Sequence, residues 1–169
     1  MKKYFYMAVL LIATALTMTS CGSDEPKDKV TVTATYNMTF SQDLLNACNV
    51  FLTYKAENGR NVMEAVTSTW WTKTVTSDKF PAEFGVMYKF STKSDAELTQ
   101  EQYDLVCDMN FSFKTSKGDS YTKNVTIINA PDVNKNKVVS TLDRISGRST
   151  GFRVTKDGDV EPANSLNYE

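Results

Sequence analysis

The sequence contains no histidine, and this absence excludes several kinds of catalytic site. Neither a serine or cysteine nucleophile paired with histidine nor a zinc site with histidine ligands is possible. The side chain that most often transfers protons near neutral pH is also missing. Paired carboxylates remain as the machinery of a small hydrolase, but no two acids stand in a recognisable setting. The sequence therefore favours a non-enzymatic protein that uses no cofactor.

An excess of charge of one sign is also lacking. The 169 residues include 19 Lys and Arg residues and 20 Asp and Glu residues, for a formal net charge of -1. The basic stripe that marks a nucleic-acid-binding protein does not occur, so no nucleic-acid partner is expected. The length suits one ordinary domain with short polar flanking segments.

The longest apolar run lies near the beginning of the chain. Lys2 and Lys3 precede this run over residues 4–18, and small residues lead from it to Cys21. The run is shorter than the ~20 residues that a membrane-spanning helix needs. We therefore expect residues 1–20 to be a signal peptide that is removed by cleavage before Cys21.

The cleavage region Met18-Thr19-Ser20-Cys21-Gly22 resembles the lipobox of bacterial lipoproteins, with Met18 where leucine is usual. The resemblance implies that Cys21 carries a diacylglycerol and becomes the new N-terminus. Each buried methylene of such a lipid contributes ~0.8 kcal/mol, so several acyl chains hold a protein firmly on a membrane. Residues 21–28 would then be a lipidated tether.

The tether begins with Gly22-Ser23-Asp24-Glu25. This segment resembles the acidic export signal of surface lipoproteins in some Gram-negative gut bacteria, which implies an outer-membrane location facing the cell exterior. The alternative is a solvated tether without an export role and a domain that faces the periplasm.

Strand signals dominate residues 29–130. From Val30 to Phe40 apolar residues alternate with polar ones, mostly threonine, which predicts a strand with one buried and one wet face. About seven such strands, separated by turn signals, predict an all-β fold: an antiparallel β-sandwich of immunoglobulin-like size. Residues 131–169 read as a polar extension with possible edge strands at Val138-Val139 and Phe152-Arg153-Val154, and the last eight residues are expected to fray.

Two hairpins have a predictable register. Asn58-Gly59 is typical of a two-residue type I′ turn, which sets Tyr54 opposite Met63 and Leu52 opposite Ala65. A three-residue loop at Lys117-Gly118-Asp119 sets Phe111 opposite Val125 and Met109 opposite Ile127.

Two cysteines besides Cys21 are present, Cys48 and Cys107. Alternation places both on apolar faces of predicted strands, so we expect them in the core. In an oxidising compartment they are candidates for a disulfide between the two sheets, and their spacing is similar to the inter-sheet bridge of immunoglobulin domains. The alternative is two buried free thiols that pack as small hydrophobes.

The adjacent Trp70 and Trp71 lie in a predicted strand, so their rings point to opposite faces. Val75 shares the face of Trp71, whereas only threonines lie near Trp70. We therefore expect Trp71 to be buried and Trp70 to be more exposed. An exposed tryptophan offers a flat apolar surface with a hydrogen-bond donor, which makes Trp70 a candidate platform for a sugar ring or a protein partner. The alternative is a core tryptophan with a half-buried neighbour and no ligand.

Residues Asp132–Asp143 resemble a calcium loop of the dockerin type in the spacing of their oxygen-bearing side chains. Lys137, however, stands where such a loop needs glycine for its sharp turn. We expect an ordinary polar loop and no metal site.

The same stretch resembles the closing strands of fimbrillin-like surface lipoproteins. The residues that carry this resemblance are Asn129-Ala130-Pro131, Asn136-Lys137, Gly147 and Phe152-Arg153-Val154. The resemblance implies a sandwich used in adhesion or in the assembly of a surface fibre, and it assigns no binding residue.

Three classes of function fit these features. The leading hypothesis is a non-enzymatic, surface-exposed lipoprotein whose β-sandwich binds a protein or a glycan. The first rival is an accessory subunit of a surface fibre or envelope complex, and a small carboxylate-dependent hydrolase is a distant third. An exposed aromatic patch favours glycan binding, an unpaired apolar edge strand favours assembly, and clustered acids in a cleft favour the hydrolase.

Overall fold

The computed structural model describes residues 29–163 and 166–168, and they form two antiparallel β-sheets packed against each other. The strands are β1 (Val32–Phe40), β2 (Cys48–Lys55), β3 (Asn61–Val66), β4 (Trp70–Ser77), β5 (Ala82–Thr92), β6 (Gln102–Thr115), β7 (Ser120–Asn134), β8 (Ser149–Val154) and β9 (Val160–Pro162). Two short helices, α1 (Gln42–Ala47) and α2 (Val138–Asp143), connect strands of different sheets.

The first sheet has the order β4-β1-β6-β7, and the second has the order β3-β2-β5-β8-β9. The predicted all-β sandwich is therefore confirmed. The immunoglobulin-like detail is not confirmed: in that fold the first strand lies beside the second, whereas here β1 lies between β4 and β6. Seven strands begin between residues 29 and 130, as predicted, and β8 and β9 extend the second sheet.

Strand β1 follows the alternation of its sequence. Its inward side chains, from Val32 to Phe40 at every second position, are buried, while the threonines between them are at least partly exposed. Two neighbouring strands, β4 and β6, pair along its whole length. The outer face of the first sheet is therefore polar, and its inner face supplies much of the core.

Aromatic rings join the two sheets in the core. Phe111 of β6 stacks on Phe152 of β8 with ring centroids 4.5 Å apart. The buried Tyr36 of β1 donates its hydroxyl hydrogen to the Lys55 carbonyl at 3.0 Å and accepts from the Gly85 amide at 3.0 Å. Burial raises the pKa of Tyr36, so this hydroxyl stays neutral while it ties β1 to both β2 and β5.

The loop of the β2–β3 hairpin is one residue longer than predicted. Asn58 and Gly59 have the predicted positive φ values, 57° and 79°. Glu57 also belongs to the loop, because the Ala56 amide donates to the Arg60 carbonyl at 2.7 Å and closes three residues between them. A three-residue loop changes the register of the strands that it connects.

The predicted pairing of Tyr54 with Met63 and of Leu52 with Ala65 is therefore wrong, and Leu52 faces Glu64 instead. A shift of one residue turns every side chain of β3 to the opposite face of the sheet. Glu64 consequently points inward, and Met63 points outward with 68% of its surface exposed.

The predicted partners in the β6–β7 hairpin are also wrong. Phe111 pairs with Lys123 and Met109 pairs with Val125. The loop begins one residue earlier than predicted, at Ser116, and so shifts the pairing by two residues. An even shift leaves the inward side chains inward.

The stretch after residue 130 is part of the sandwich, and β7 continues past that position. Val138-Val139 belongs to α2, so the predicted edge strand there is wrong. Phe152-Arg153-Val154 forms part of β8, which lies inside the second sheet rather than at its edge. The prediction that the last eight residues fray is wrong for Ala163 and Leu166, which are buried.

Candidate functional site

The two adjacent tryptophans of β4 point to opposite faces of the first sheet, as predicted. Trp71 is 8% exposed, and its ring packs 5.3 Å from the Tyr54 ring and 6.4 Å from the Tyr36 ring. Trp70 is 58% exposed. The expected difference in burial is confirmed, and a large aromatic surface faces solvent on the polar side of the first sheet.

The register places Trp70 at the end of a row that crosses all four strands of the first sheet. Trp70 lies opposite Thr39, and Thr39 lies opposite Asp108. Thr126 of β7 completes this row. The neighbouring row on the same face consists of Thr72, Asn37, Asn110 and Asn124. With strands about 4.8 Å apart, the two rows form a polar surface with one aromatic ring at its edge.

Hydrogen bonds across the strands hold these polar side chains in place. The Asn110 amide donates to Asn124 Oδ1 at 2.6 Å, and the Thr126 hydroxyl donates to Asp108 Oδ1 at 2.7 Å. Asn37 Oδ1 accepts a similar bond from a threonine hydroxyl of β4 at 2.7 Å. Each bond uses one polar atom of an amide or carboxylate, which leaves a second polar atom of the same group for a ligand.

Trp70 and the two rows surround a shallow depression of about 490 Å³. Its lining residues are Asn37, Thr39, Trp70, Asp108, Met109, Asn110, Asn124, Val125 and Thr126. The volume falls within the ~300–1,000 Å³ of small-molecule sites. Asp108 is the charged residue of this lining. The surface therefore disfavours an anionic ligand and suits one that combines a flat apolar side with several hydroxyl or amide groups.

A second polar cluster lies at the rim of the sandwich, where the edges of β3 and β4 approach each other and its side chains are partly buried. Glu64 accepts hydrogen bonds from the Tyr54 hydroxyl at 3.1 Å and from the Trp71 indole at 3.1 Å, and Lys73 Nζ lies 2.8 Å from Glu64 Oε1. Partial burial acts to raise the pKa of Glu64, but the hydrogen bonds from Lys73, Trp71 and Tyr54 outweigh it and keep the pKa below its usual range. An ionised carboxylate with three donors links two strands and is poorly suited to proton transfer.

Sequence reasoning missed this cluster because the predicted register placed Glu64 on the outer face. The signal was present in Lys73, which shares a strand face with the buried Trp71. An ammonium group on an inward face needs an opposite charge, and the observed register of β3 supplies Glu64.

Cys48 and Cys107 are both buried, as expected, and they are free thiols in the structure. The Cys48 thiol donates to the Leu44 carbonyl at 3.2 Å. Burial raises the pKa of Cys48 to about 12 and raises that of Cys107 as well. Both groups are therefore protonated at neutral pH and pack as small apolar side chains.

The stretch with the calcium-like spacing divides among three elements. Asp132 lies in β7 with a positive φ of 53°, residues Lys135–Lys137 form a 3₁₀ turn, and Val138–Asp143 is α2. Its oxygen-bearing side chains are therefore spread along a strand end, a turn and a helix. Across residues 29–163 and 166–168, no group of three or more acidic or cysteine side chains is arranged to hold a metal ion.

Cys21 and the acidic segment that follows it lie outside the described residues. In the described part of the chain, no helix is long and apolar enough to cross a membrane. Comparison of the chain with protein-family models, with curated proteins and with solved structures gives no match in any of the three.

Proposed function

We propose that this chain is a non-enzymatic lipoprotein, anchored through Cys21 on the exterior of an outer membrane, that binds a glycan on the outer face of its first sheet. The observation that carries the glycan proposal is the exposure of Trp70 beside ordered asparagine and aspartate side chains. The anchor rests on the signal and lipobox pattern described above. The alternative to a glycan ligand is a protein ligand.

The chemistry of a sugar ring matches this surface. One side of the ring presents C–H groups that stack on a flat aromatic system such as Trp70. The ring's edge presents neighbouring hydroxyl groups that both donate and accept hydrogen bonds. The amides of Asn37, Asn110 and Asn124 offer donors and acceptors, and the Asp108 carboxylate offers strong acceptors.

A hydrolase is less well supported by the same site. Glycoside hydrolysis uses two carboxyl groups about 5–10 Å apart, one on each side of the scissile bond. Asp108 is the carboxylate in the lining of the depression, and no second acid of residues 29–163 and 166–168 lines it. Glu64 lies on the inner side of the sandwich and already accepts from three donors.

The free edge of β7 favours a second candidate, an accessory subunit of a surface fibre or envelope complex. β7 has 15 residues and forms one edge of the first sheet. Its inward side chains Val125, Ile127 and Ala130 are partly buried against the core. Such an edge offers backbone groups to an added strand, so self-association that depends on β7 would favour this candidate.

Binding of the membrane-extracted full-length protein to a printed glycan array tests the proposal. Trp70→Ala is expected to weaken binding by about tenfold or more, because stacking on a tryptophan contributes more than about 1.4 kcal/mol. Met63→Ala is the matched control, since Met63 is a large exposed side chain on the outer face of the other sheet. Glycan binding that is the same in both variants, or absent from the wild type, would refute the glycan site.

A further inference from the structure

The outer face of the second sheet is covered, in contrast to that of the first. Leu52 and Tyr54 of β2 point into the core, so the alternation points Lys55 outward. Lys55 is nevertheless only 5% exposed. The cover consists of Ala163 and residues 166–168, a set that we call the strap and that follows the edge strand β9 in the chain.

A pair of glycines forms the floor beneath the strap. Gly85 of β5 and Gly151 of β8 lie directly opposite each other. A Cβ atom on Gly151 would lie 2.7 Å from both the Ala163 carbonyl oxygen and Leu166 Cδ1, and one on Gly85 would collide with the Tyr168 hydroxyl. Neither glycine has a positive φ. The space for the strap, rather than the local backbone, therefore requires the two glycines.

The polar contacts of the strap are made mainly by its backbone. The Ala163 amide donates to the Gly151 carbonyl at 2.9 Å. The Lys55 ammonium group donates to the Asn167 carbonyl and lies 5.4 Å from the centre of the Tyr168 ring. We call the surface beneath the strap the trough. The trough thus recognises a peptide backbone, an apolar side chain over one glycine and an aromatic ring beside a cation.

The strap joins the sheet through β9. This strand has three residues, lies at the edge of the second sheet and, among the described residues, pairs only with β8. The loop before it carries the exposed Lys156 and Asp157. Short edge elements with few apolar contacts are those that open without unfolding the whole domain.

We propose that this trough is a peptide-docking groove, which the strap occupies in cis and which accepts an extended peptide with a leucine two residues before a tyrosine when the strap is displaced. The groove lies on the outer face of the second sheet, and the Trp70 depression lies on the outer face of the first. The two docking surfaces are therefore separate, and this proposal does not depend on glycan binding.

Gly151→Ala is the substitution that separates the strap from the sheet. The nearest atoms to a Cβ at Gly151 all belong to the strap residues Ala163 and Leu166. A Cβ at Gly85 would also lie 2.8 Å from the Thr150 carbonyl oxygen, an atom of the sheet itself. Gly151→Ala in the full chain should therefore displace the strap and leave the second sheet paired.

The first measurement is the rate at which an amine-acylating reagent modifies Lys55. In Gly151→Ala the rate is expected to rise by at least about tenfold, equivalent to about 1.4 kcal/mol of docking free energy. Lys89, exposed on the outer face of β5, is the matched control, and its rate should not change. A Lys55 that stays protected would overturn the proposal. So would simultaneous exposure of the core thiol of Cys107, because the strap would then be inseparable from the fold.

The second measurement is binding of a fluorescent synthetic peptide that carries residues 159–169. The full chain with Leu166→Ala and Tyr168→Ala keeps an intact groove under a weakened strap, and it should bind this peptide saturably. The wild type, whose groove is occupied, should bind at least about tenfold more weakly. Adding Gly151→Ala to the chain, or Tyr168→Ala to the peptide, should abolish binding, whereas Trp70→Ala in the chain should not change it. Absence of saturable binding to the doubly substituted chain would overturn the docking groove.

Discussion

Replacement of Trp71 by alanine tests the arrangement of the core and of the Trp70 face together. Trp71 is 8% exposed and touches the Tyr54 and Tyr36 rings, and its indole donates to Glu64. Trp70 is the adjacent residue of the same strand but is 58% exposed. The two single variants Trp71→Ala and Trp70→Ala therefore remove the same type of side chain, one from the inner face and one from the outer face of the same sheet.

The two variants should differ by several kcal/mol in their free energies of unfolding. Deletion of a large buried aromatic side chain costs about 3–5 kcal/mol. After Trp71→Ala, Glu64 still has Lys73 and Tyr54 as partners, so no unpaired charge adds to this cost. Trp70→Ala removes a mostly exposed ring, and we expect it to cost about 1 kcal/mol or less.

Urea unfolding followed by tryptophan fluorescence and circular dichroism measures this difference. With a slope of about 1–3 kcal/mol per molar urea, Trp71→Ala should lower the midpoint by about 2 M, and Trp70→Ala by less than about 0.5 M. Trp71→Phe keeps a ring in the core but loses the donor to Glu64, and should fall between the two variants.

The outcome that contradicts this reasoning is an equal loss of stability in both alanine variants. Trp70 would then be a structural residue, and its exposure would not indicate a ligand. A small loss in Trp71→Ala would mean that the core repacks around the missing ring, against the close packing of protein interiors.

Four further predictions concern other parts of the chain. The mass of the membrane-extracted protein should show acyl groups on an N-terminal Cys21, and an unmodified Cys21 would contradict the anchor. Under non-reducing conditions Cys48 and Cys107 should react with a thiol reagent only after unfolding, and their failure to react in denaturant would indicate a disulfide. Calorimetric titration should detect no sub-millimolar calcium site, and calcium binding that Asp132→Ala removes would restore the calcium loop. The folded-state pKa of Glu64 lies below its ordinary value of 4.5, so its contribution to stability is present above that pH and is lost as the pH falls through the folded pKa. The stability difference between wild type and Glu64→Gln should therefore shrink below about pH 4.5, and a difference that does not depend on pH would refute the role of the ion pair.

Several features of the candidate site were predictable because they depend on local geometry. Side chains of adjacent residues in a strand diverge, so Trp70 and Trp71 had to lie on different faces. Val75 and the neighbouring threonines indicated which face was buried, and the structure confirms this assignment. The remaining site residues, such as Asp108 and Asn124, were not predictable as neighbours of Trp70, because they reach it through the pairing of β1 with β4 and β6 and of β6 with β7.

The hairpin registers show where local pattern is insufficient. Asn58-Gly59 correctly predicted a turn with two positive φ values. Whether Glu57 also belongs to the loop depends on which pairing best buries the side chains of β2 and β3. That single residue decided whether Glu64 faces solvent or reaches Trp71 and Lys73.

The sequence by itself determined the class of fold and, in strands such as β1 and β4, which face is buried, because period-two alternation of apolar and polar residues acts within a strand. Only the tertiary structure decided the strand order, the registers and the coverage of the second sheet. These features depend on contacts between residues that are far apart in the chain, such as Gly85 with Tyr168 and Tyr36 with Lys55. The free energy of such contacts depends on the packing of the whole sandwich, and the local sequence pattern does not encode it.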